Sequence, residues 1–556
     1  MIDESAVYIV DETTENIKKL LEEGTAGSGI PPANLSIMSA AAGDQKVNLK
    51  FAVPAETIID GQVVQTTAGI IVRRKAGSAP ESITDGDLVV DCGPSDYAET
   101  AFEDTGLEND TEYFYRFFPY SDHNVYNKNE ANIISASPKE YILYGFYIDP
   151  NDSNPATRVH YTDMAEGMTP AKMNFTTGQF DPGSWDESVF FRVNNKPYMV
   201  KFDGTIDYEL DPNDYTRKAD GSGSSAVSDS AYQGNAMARF DTVWLYQYKD
   251  NQGRFNCKIC NIQLDSNYHA YAHEREDGTI MDYIFLSMFE GSLISSKVRS
   301  LKGQSVMNTQ TGTNELTYAK ANGSLWSTRS WAHRNLVNML LILMGKSTDT
   351  QTVFGQGHDS GGSQASHLTQ TGTLYNKGAF YGTNTNAVMK VFHIENWWGN
   401  AWERIEGLVT DANKQILVKM KKPYNTTGSG YTATGITPGG TSGGYISAAD
   451  MKEYGGYLPK TASGSSSTYD CDGLWFAASC YAIVGGACYN GALDGAFAVN
   501  LNNAVSNSNW NIGAAIILLF RNNNQMRPGF LATWQKSTRN REGIVSNKPK
   551  SLQGIR

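Results

Sequence analysis

The chain has 556 residues, with 53 Gly, 30 Tyr and only 19% charged residues, a composition of turns and aromatic strand faces rather than long helices. That length exceeds one ordinary domain and predicts three or four. The net charge of −13 argues against nucleic acid or an anionic bilayer as the main partner. The six cysteines (Cys92, Cys257, Cys260, Cys471, Cys480 and Cys488) are too few and too irregularly spaced for a disulfide framework, which fits assembly in a reducing cytoplasm.

Along the chain, the acidic start MIDESAVYIVDE lacks a basic n-region and an apolar h-region, so no signal peptide is expected. No apolar run approaches ~18 residues, so no membrane-spanning helix is expected either. Residues 1–31 read as a short helix, Thr14 to Glu23, and a breaker run, GTAGSGIPP, together an attachment segment or linker. From residue 32 to 140 short alternating strands take over, among them KVNLKFAV, AGIIVRRK and TEYFYRFFPY. Here the run Leu107-Glu-Asn-Asp-Thr-Glu-Tyr113-Phe-Tyr115 resembles the strand entry of a fibronectin type III sandwich, which implies an Ig-like β-sandwich with a tyrosine corner. Such modules serve as spacers or weak binders.

Residues 141–300 continue as a β-rich region, either a domain of its own or part of the next one. Thr242 to Ile262 reads as a hairpin, and TIMDYIFLSMFEGS as a further strand. Ser324 to Gly345 is the best helix, with Ser324 as N-cap, Trp331, Leu336, Met339, Leu340 and Leu343 at helical spacing, and Gly345-Lys346 as the stop. Lys346 to Asn386 reads as a long surface excursion and Asn425 to Gly444 as a second low-complexity loop, with strands between them. The last stretch, Arg521 to Arg556, carries eight Lys/Arg against the single acid Glu542 and reads as a solvated or subunit-crossing tail.

Few constellations point to chemistry. Cys257-x-x-Cys260 with His269 and His273 has the residue types of a zinc site. The intervening residues alternate as a strand, however, which sends the two thiols to opposite faces with no turn to reunite them. The Asp-rich turns LDPNDY and KADGSG lack the spacing of a calcium loop and read as Asx-turns. No nucleophile elbow, phosphate loop, HExxH or dinucleotide fingerprint is present, so neither a catalytic residue nor a cofactor is expected. Trp397, Trp398 and Trp402 crowd into six positions. Trp clusters serve as sugar platforms or interface anchors, but the strand-like flanks place Trp326, Trp331, Trp397 and Trp402 in or near a core.

The most informative stretch runs from Gly485 to Gly513, between the apolar strands Ala482–Val484 and Gly513–Phe520. Seven Asn fall between Asn490 and Asn511, beside small and assorted residues. The segment resembles the variable region of target proteins of diversity-generating retroelements, which include phage tail receptor-binding proteins ending in a C-type-lectin-like domain. The matching residues are Gly485-Gly486, then Asn500-Leu-Asn502-Asn503-Ala504 with Ser506-Asn507, then Asn511-Ile512-Gly513. The Trp expected near the start is replaced by Cys488 or Tyr489. Such retroelements mutate template adenines, and Ala487, Cys488, Tyr489, Leu493, Asp494, Phe497 and Ala498 are all reachable from Asn codons AAC or AAT.

The resemblance implies a mainly β chain with minor α. Its parts would be the fibronectin-like sandwich, the β-rich region, and a C-type-lectin-like (α+β) head over 301–556 with the variable segment 485–513. It further implies a virion tail-tip adhesin, a homotrimer that contacts other tail or baseplate proteins and binds a protein or glycan receptor on the host bacterium. An adhesin without an export signal fits release by cell lysis. The face would comprise Ala487, Cys488, Tyr489, Asn490, Leu493, Asp494, Phe497, Ala498, Asn500 and Asn502, exposed on loops whose side chains can vary without disturbing the frame. Two alternatives remain. One is a structural tail protein with no receptor role. The other is a formylglycine-generating type of enzyme on the same scaffold, a comparison invited by Cys480 and Cys488.

Overall fold

Alternating apolar residues at strand period decide most of the architecture, which is mainly β with few helices. The computed structural model describes residues 31–35, 38–52, 57–59, 62–65, 67–93 and 102–519. The expected helix Thr14–Glu23, the basic stretch 521–556 and Phe520 lie outside the described residues.

Near the start, KVNLKF turns Val47, Leu49 and Phe51 inward and its lysines outward. That strand sits between Met38–Gly43 and Phe102–Thr105 in a three-stranded antiparallel sheet. A second sheet runs Asp87–Cys92, Gly69–Ala76, Tyr113–Tyr120, Ile133–Ala136, also antiparallel. Val47, Leu49, Phe51, Ile70, Val72, Tyr115 and Phe117 fill the space between the two sheets as one cluster. The Tyr113 hydroxyl accepts the Glu108 N–H at 3.1 Å, closing the turn ahead of its own strand as a tyrosine corner does.

A separate, larger hydrophobic cluster runs from Tyr144 to Leu519. Among the described residues, three sheets of four or more strands surround it. A four-stranded sheet contains the expected hairpin, Trp244–Lys249 with Phe255–Cys260. A seven-stranded sheet starts with strands between Pro197 and Ser287 and takes in Ile516–Leu518 and Trp326–Thr328 at its far side. The regions before and after residue 300 thus share one sheet and one core. The third and largest sheet holds the candidate site: the strands Trp402–Thr410, Tyr481–Val484, Val499–Asn503 and Gly473–Phe476 lie side by side in it.

The helix Trp331–Gly345 is buried from Trp331 through Met344, its polar residues His333, Arg334, Asn335 and Asn338 included. It begins later than the sequence suggests. Ser330, not Ser324, is the N-cap, and its N–H donates to His333 Nδ1 at 3.1 Å, a capping box with His in place of Glu. Trp326–Thr328 is instead a strand paired with Ile516–Leu518. The stop is as expected, with Lys346 in the left-handed conformation. The stretch after it is not wholly a surface excursion, because Ser347–Thr350 is buried and leads into a short helix, Thr350–Phe354.

Cys257 lies in the main cluster and Cys260 in a different one with Ile262 and Tyr268, on the two sides of their strand. Asp211 and Asp220 accept the N–H groups of Asn213 and Ser222 at 2.9 and 2.8 Å, as Asx-turns do. Trp326, Trp331, Trp397, Trp398 and Trp402 are all buried.

Candidate functional site

Strand alternation sorts the third sheet into two faces. Leu474, Ala482, Val484, Val499 and Leu501 point into the main core. The residues between them point the other way. Trp475 pairs with Asn500 and Ile483 also pairs with Asn500, while Trp402 pairs with Ile512 on a neighbouring strand. The second face therefore carries two tryptophans, two isoleucines and an amide, with Ala487 and Ala498 packed beneath them.

Above this floor opens a cleft of about 480 Å³, lined further by Tyr489, Asn490, Asn502, Asn503, Asn509, Trp510 and Asn511. Among the described residues, no ionisable acid or base other than the Tyr489 phenol lines it. Trp402 and Trp475 meet edge to face at 5.3 Å, and Tyr489 and Trp510 meet at 5.6 Å with their planes tilted by 45°. Trp402 is buried, Trp475 and Trp510 are half-buried, and Tyr489 is 41% exposed. Burial raises the Tyr489 phenol above its ordinary value, and a hydrogen bond with Trp402 opposes that shift.

The amides are held in fixed orientations. Asn507 Nδ2 donates to Asn503 Oδ1 at 2.9 Å, and Asn503 Nδ2 donates onward to Asn500 Oδ1 at 3.1 Å and Asn502 Oδ1 at 2.7 Å. Asn511 Nδ2 donates to the Tyr489 hydroxyl at 2.7 Å. Asn490 Oδ1 takes the Ala487 N–H at 2.9 Å. Among the described residues, the Nδ2 groups of Asn500 and Asn502 and the whole amide of Asn509 line the cleft without a side-chain bond, whereas the Asn490 amide bonds the Tyr489 phenol. Behind the loop, Arg404 donates to Asn507 O at 2.8 Å and to Glu315 at 2.7 Å, and burial pushes that carboxyl up to about 7.

The central helix grips the segment from its inner side. Arg334 and Asn338, one helical turn apart, both donate to Ala496 O, at 3.0 and 2.6 Å. Arg334 also donates to Trp397 O at 2.5 Å, and burial lowers its guanidinium to about 9.

The ten residues expected on one exposed face therefore divide. Tyr489, Asn490, Asn500 and Asn502 line the cleft. Leu493 is half-buried in a short 3-10 turn and does not line it. Ala487, Cys488, Asp494, Phe497 and Ala498 are buried, contrary to expectation. Gly485 and Gly486, at φ +90° and +94°, fold the segment back on itself, and a Cβ on Gly486 would stand 1.6 Å from Asp494 Oδ1. Asp494 is thereby drawn under the loop to accept the Ala487 N–H at 3.1 Å, and burial holds its carboxyl well above the ordinary range. Phe497 turns into the main core against Tyr457, and its N–H donates to Asp472 at 2.6 Å. Cys488 donates to Gly362 O at 3.3 Å, with its thiol pushed up to about 11 by burial, whereas Cys480 donates to Ala478 O. Cys480 and Cys488 are both free thiols, each bonded to a different residue's backbone carbonyl.

Trp475 and Trp510 are site residues that the sequence reading missed. The Asn-Trp-Asn setting of Trp510, an indole with no apolar neighbour, was a usable signal. Among the described residues, no group of three His, Cys, Asp or Glu is close enough to hold a metal ion.

The arrangement defines an open aromatic and amide cleft on a rigid, mainly β scaffold, suited to binding a ligand through stacking and hydrogen bonds. No known protein family and no curated protein matches the chain. Among solved structures it is similar to the U1 variant of the Major Tropism Determinant, at 11% identity and a TM-score of 0.24, covering 58% of this chain and 72% of that one. The M1 variant gives 10% identity, a TM-score of 0.23, and 59% and 73% coverage. Overlap at this level is too small to define a shared fold.

Proposed function

We propose that this chain is a virion tail-tip adhesin that binds a host bacterial surface receptor in the cleft bounded by Tyr489, Trp475 and Trp510. The observation that carries the reading is the contrast between the cleft and its support. Unspent amides and accessible aromatic faces sit on a sheet whose other side is fully buried. Aromatic anchors in a concave, pre-organised setting are where binding energy concentrates. The resemblance of the Asn-rich segment to diversified tail adhesins supports the same assignment. In this reading the sandwich at 32–140 is a spacer, residues 141–519 form the binding head, and the chain works as a homotrimer on the tail.

The test is to replace Tyr489, Asn502 and Trp510 together by Ala, then measure thermal unfolding, mass in solution and binding of the purified chain to host cells. Expected are a folded trimer and loss of cell binding. Unimpaired cell binding by a folded triple variant places recognition elsewhere and leaves a structural tail protein as the better reading.

A further inference from the structure

Building on the adhesin reading, we infer that the cleft takes a neutral saccharide. The argument begins with charge. Among the described residues, no Asp, Glu, Lys, Arg or His lines the cleft, so a charged ligand would lose hydration with no counter-charge there to replace it. The chain's net charge of −13 further disfavours an anionic one.

The polar groups that remain are carboxamides. Each offers two donors and an acceptor in one plane, and a sugar hydroxyl is itself both donor and acceptor. Adjacent hydroxyls on a ring can thus each find an amide partner. The free Nδ2 groups of Asn500 and Asn502, the Asn509 amide and Asn511 Oδ1 supply such partners around the cleft. The ladder from Asn507 through Asn503 fixes the orientation of Asn500 and Asn502 before any ligand arrives, which reduces the entropy lost on binding.

The aromatic surfaces suit the other side of a sugar. An indole or phenol face is electron-rich and attracts the weakly positive C–H groups that line one face of a pyranose. Trp475 and Trp510 are half-buried, so each is held firmly while leaving ring surface open. The cleft's size also fits. It lies in the range of roughly 300–1,000 Å³ used for small ligands, whereas a folded protein receptor would need a broad surface of about 800 Å².

The experiment titrates the full chain with neutral oligosaccharides released from host-cell surface polysaccharide, following tryptophan fluorescence, with acidic oligosaccharides as controls. Cell binding is measured in parallel on untreated, periodate-oxidised and protease-treated cells. The expected result is saturable binding of a neutral oligosaccharide, little changed between low and high salt. Asn502→Ala and Trp510→Phe, both conservative of the fold, should each weaken it by about tenfold or more. Periodate, but not protease, should abolish cell binding. If cells bind the chain after periodate but not after protease, the ligand is a protein; the saccharide inference is then overturned while the adhesin reading stands. Tighter binding of acidic than neutral oligosaccharides overturns it too. If the folded chain binds no host cells under any condition, the adhesin reading fails and takes this inference with it.

Discussion

Phe497 and Tyr489 belong to the same segment but to opposite environments, and truncating each to Ala separates frame from face. Phe497 is 5% exposed and packs edge-on against Tyr457 at 5.5 Å. Removing its ring leaves a cavity in the main core, at a cost of ~3–5 kcal/mol. A body of roughly 380 residues unfolds with an entropy of about 0.8 kcal/mol/K, so the midpoint should fall by ~4–6 °C. Tyr489, 41% exposed, loses the hydrogen bond from Asn511 and its contact with Trp510. That change costs ~1 kcal/mol, or about 1 °C. Calorimetry and cell binding on the two purified variants provide the comparison. Phe497→Ala should melt early yet bind cells normally per folded molecule, and Tyr489→Ala should melt almost as wild type and bind at least about tenfold more weakly. A Phe497→Ala variant of unchanged melting temperature that no longer binds would refute the reasoning, because it would put the ring on the face.

Three further outcomes are expected. Gly473→Ala places a Cβ 2.4 Å from the Trp475 ring, so it should tilt that indole, cost ~1–3 kcal/mol and alter tryptophan fluorescence; an unchanged spectrum and stability would mean the ring is not seated there. Glu290, which accepts from Asn396 at 2.7 Å and Asn400 at 2.6 Å, is held protonated by burial up to about 8, against 4.5 for the ordinary group. Between those values the unfolded chain binds fewer protons than the native one, so this carboxyl's contribution to stability declines as pH rises, by up to ~1.4 kcal/mol per pH unit. Urea midpoints should therefore fall more steeply from pH 5 to pH 8 for the wild type than for Glu290→Gln, and parallel profiles would count against a neutral Glu290. Tyr113→Phe removes the acceptor for the Glu108 N–H and should speed amide exchange at Glu108 while costing ~1 kcal/mol, with no effect on cell binding.

What the sequence made legible was whatever local pattern controls. The alternation of KVNLKF, the Leu107–Tyr115 corner and the apolar repeat from Trp331 to Leu343 all lie within a few turns of chain, and each forms as read. The start of the helix escaped because Trp326–Thr328 is drawn into a strand by Ile516–Leu518, a partner far away that no local propensity registers. The site was legible in part for a similar reason. Asn500 and Asn502 are two apart on one strand, so they share a face by periodicity alone. Asp494 and Phe497 follow a 3-10 turn and the Gly485-Gly486 reversal, which redirect side chains in a way that composition does not reveal. Trp475 was hidden by sequence distance, since the cleft joins it to Trp510 only through the sheet.

The pairing of Leu518 with both Phe285 and Trp326 also bears on how the chain is made. The sandwich strands all fall between Met38 and Ala136, so that unit can close while synthesis continues. The seven-stranded sheet cannot, because the strand that joins Tyr283–Ser287 to Trp326–Thr328 emerges about 230 residues after the first of these two neighbours, the costly long-range closure that slows folding. Until then Tyr283–Ser287 and Trp326–Thr328 are open edges, free to pair with another chain. Truncation between Trp326–Thr328 and Ile516 should thus yield aggregate in place of a defective but soluble protein, and only chains translated through that strand would carry a closed sheet.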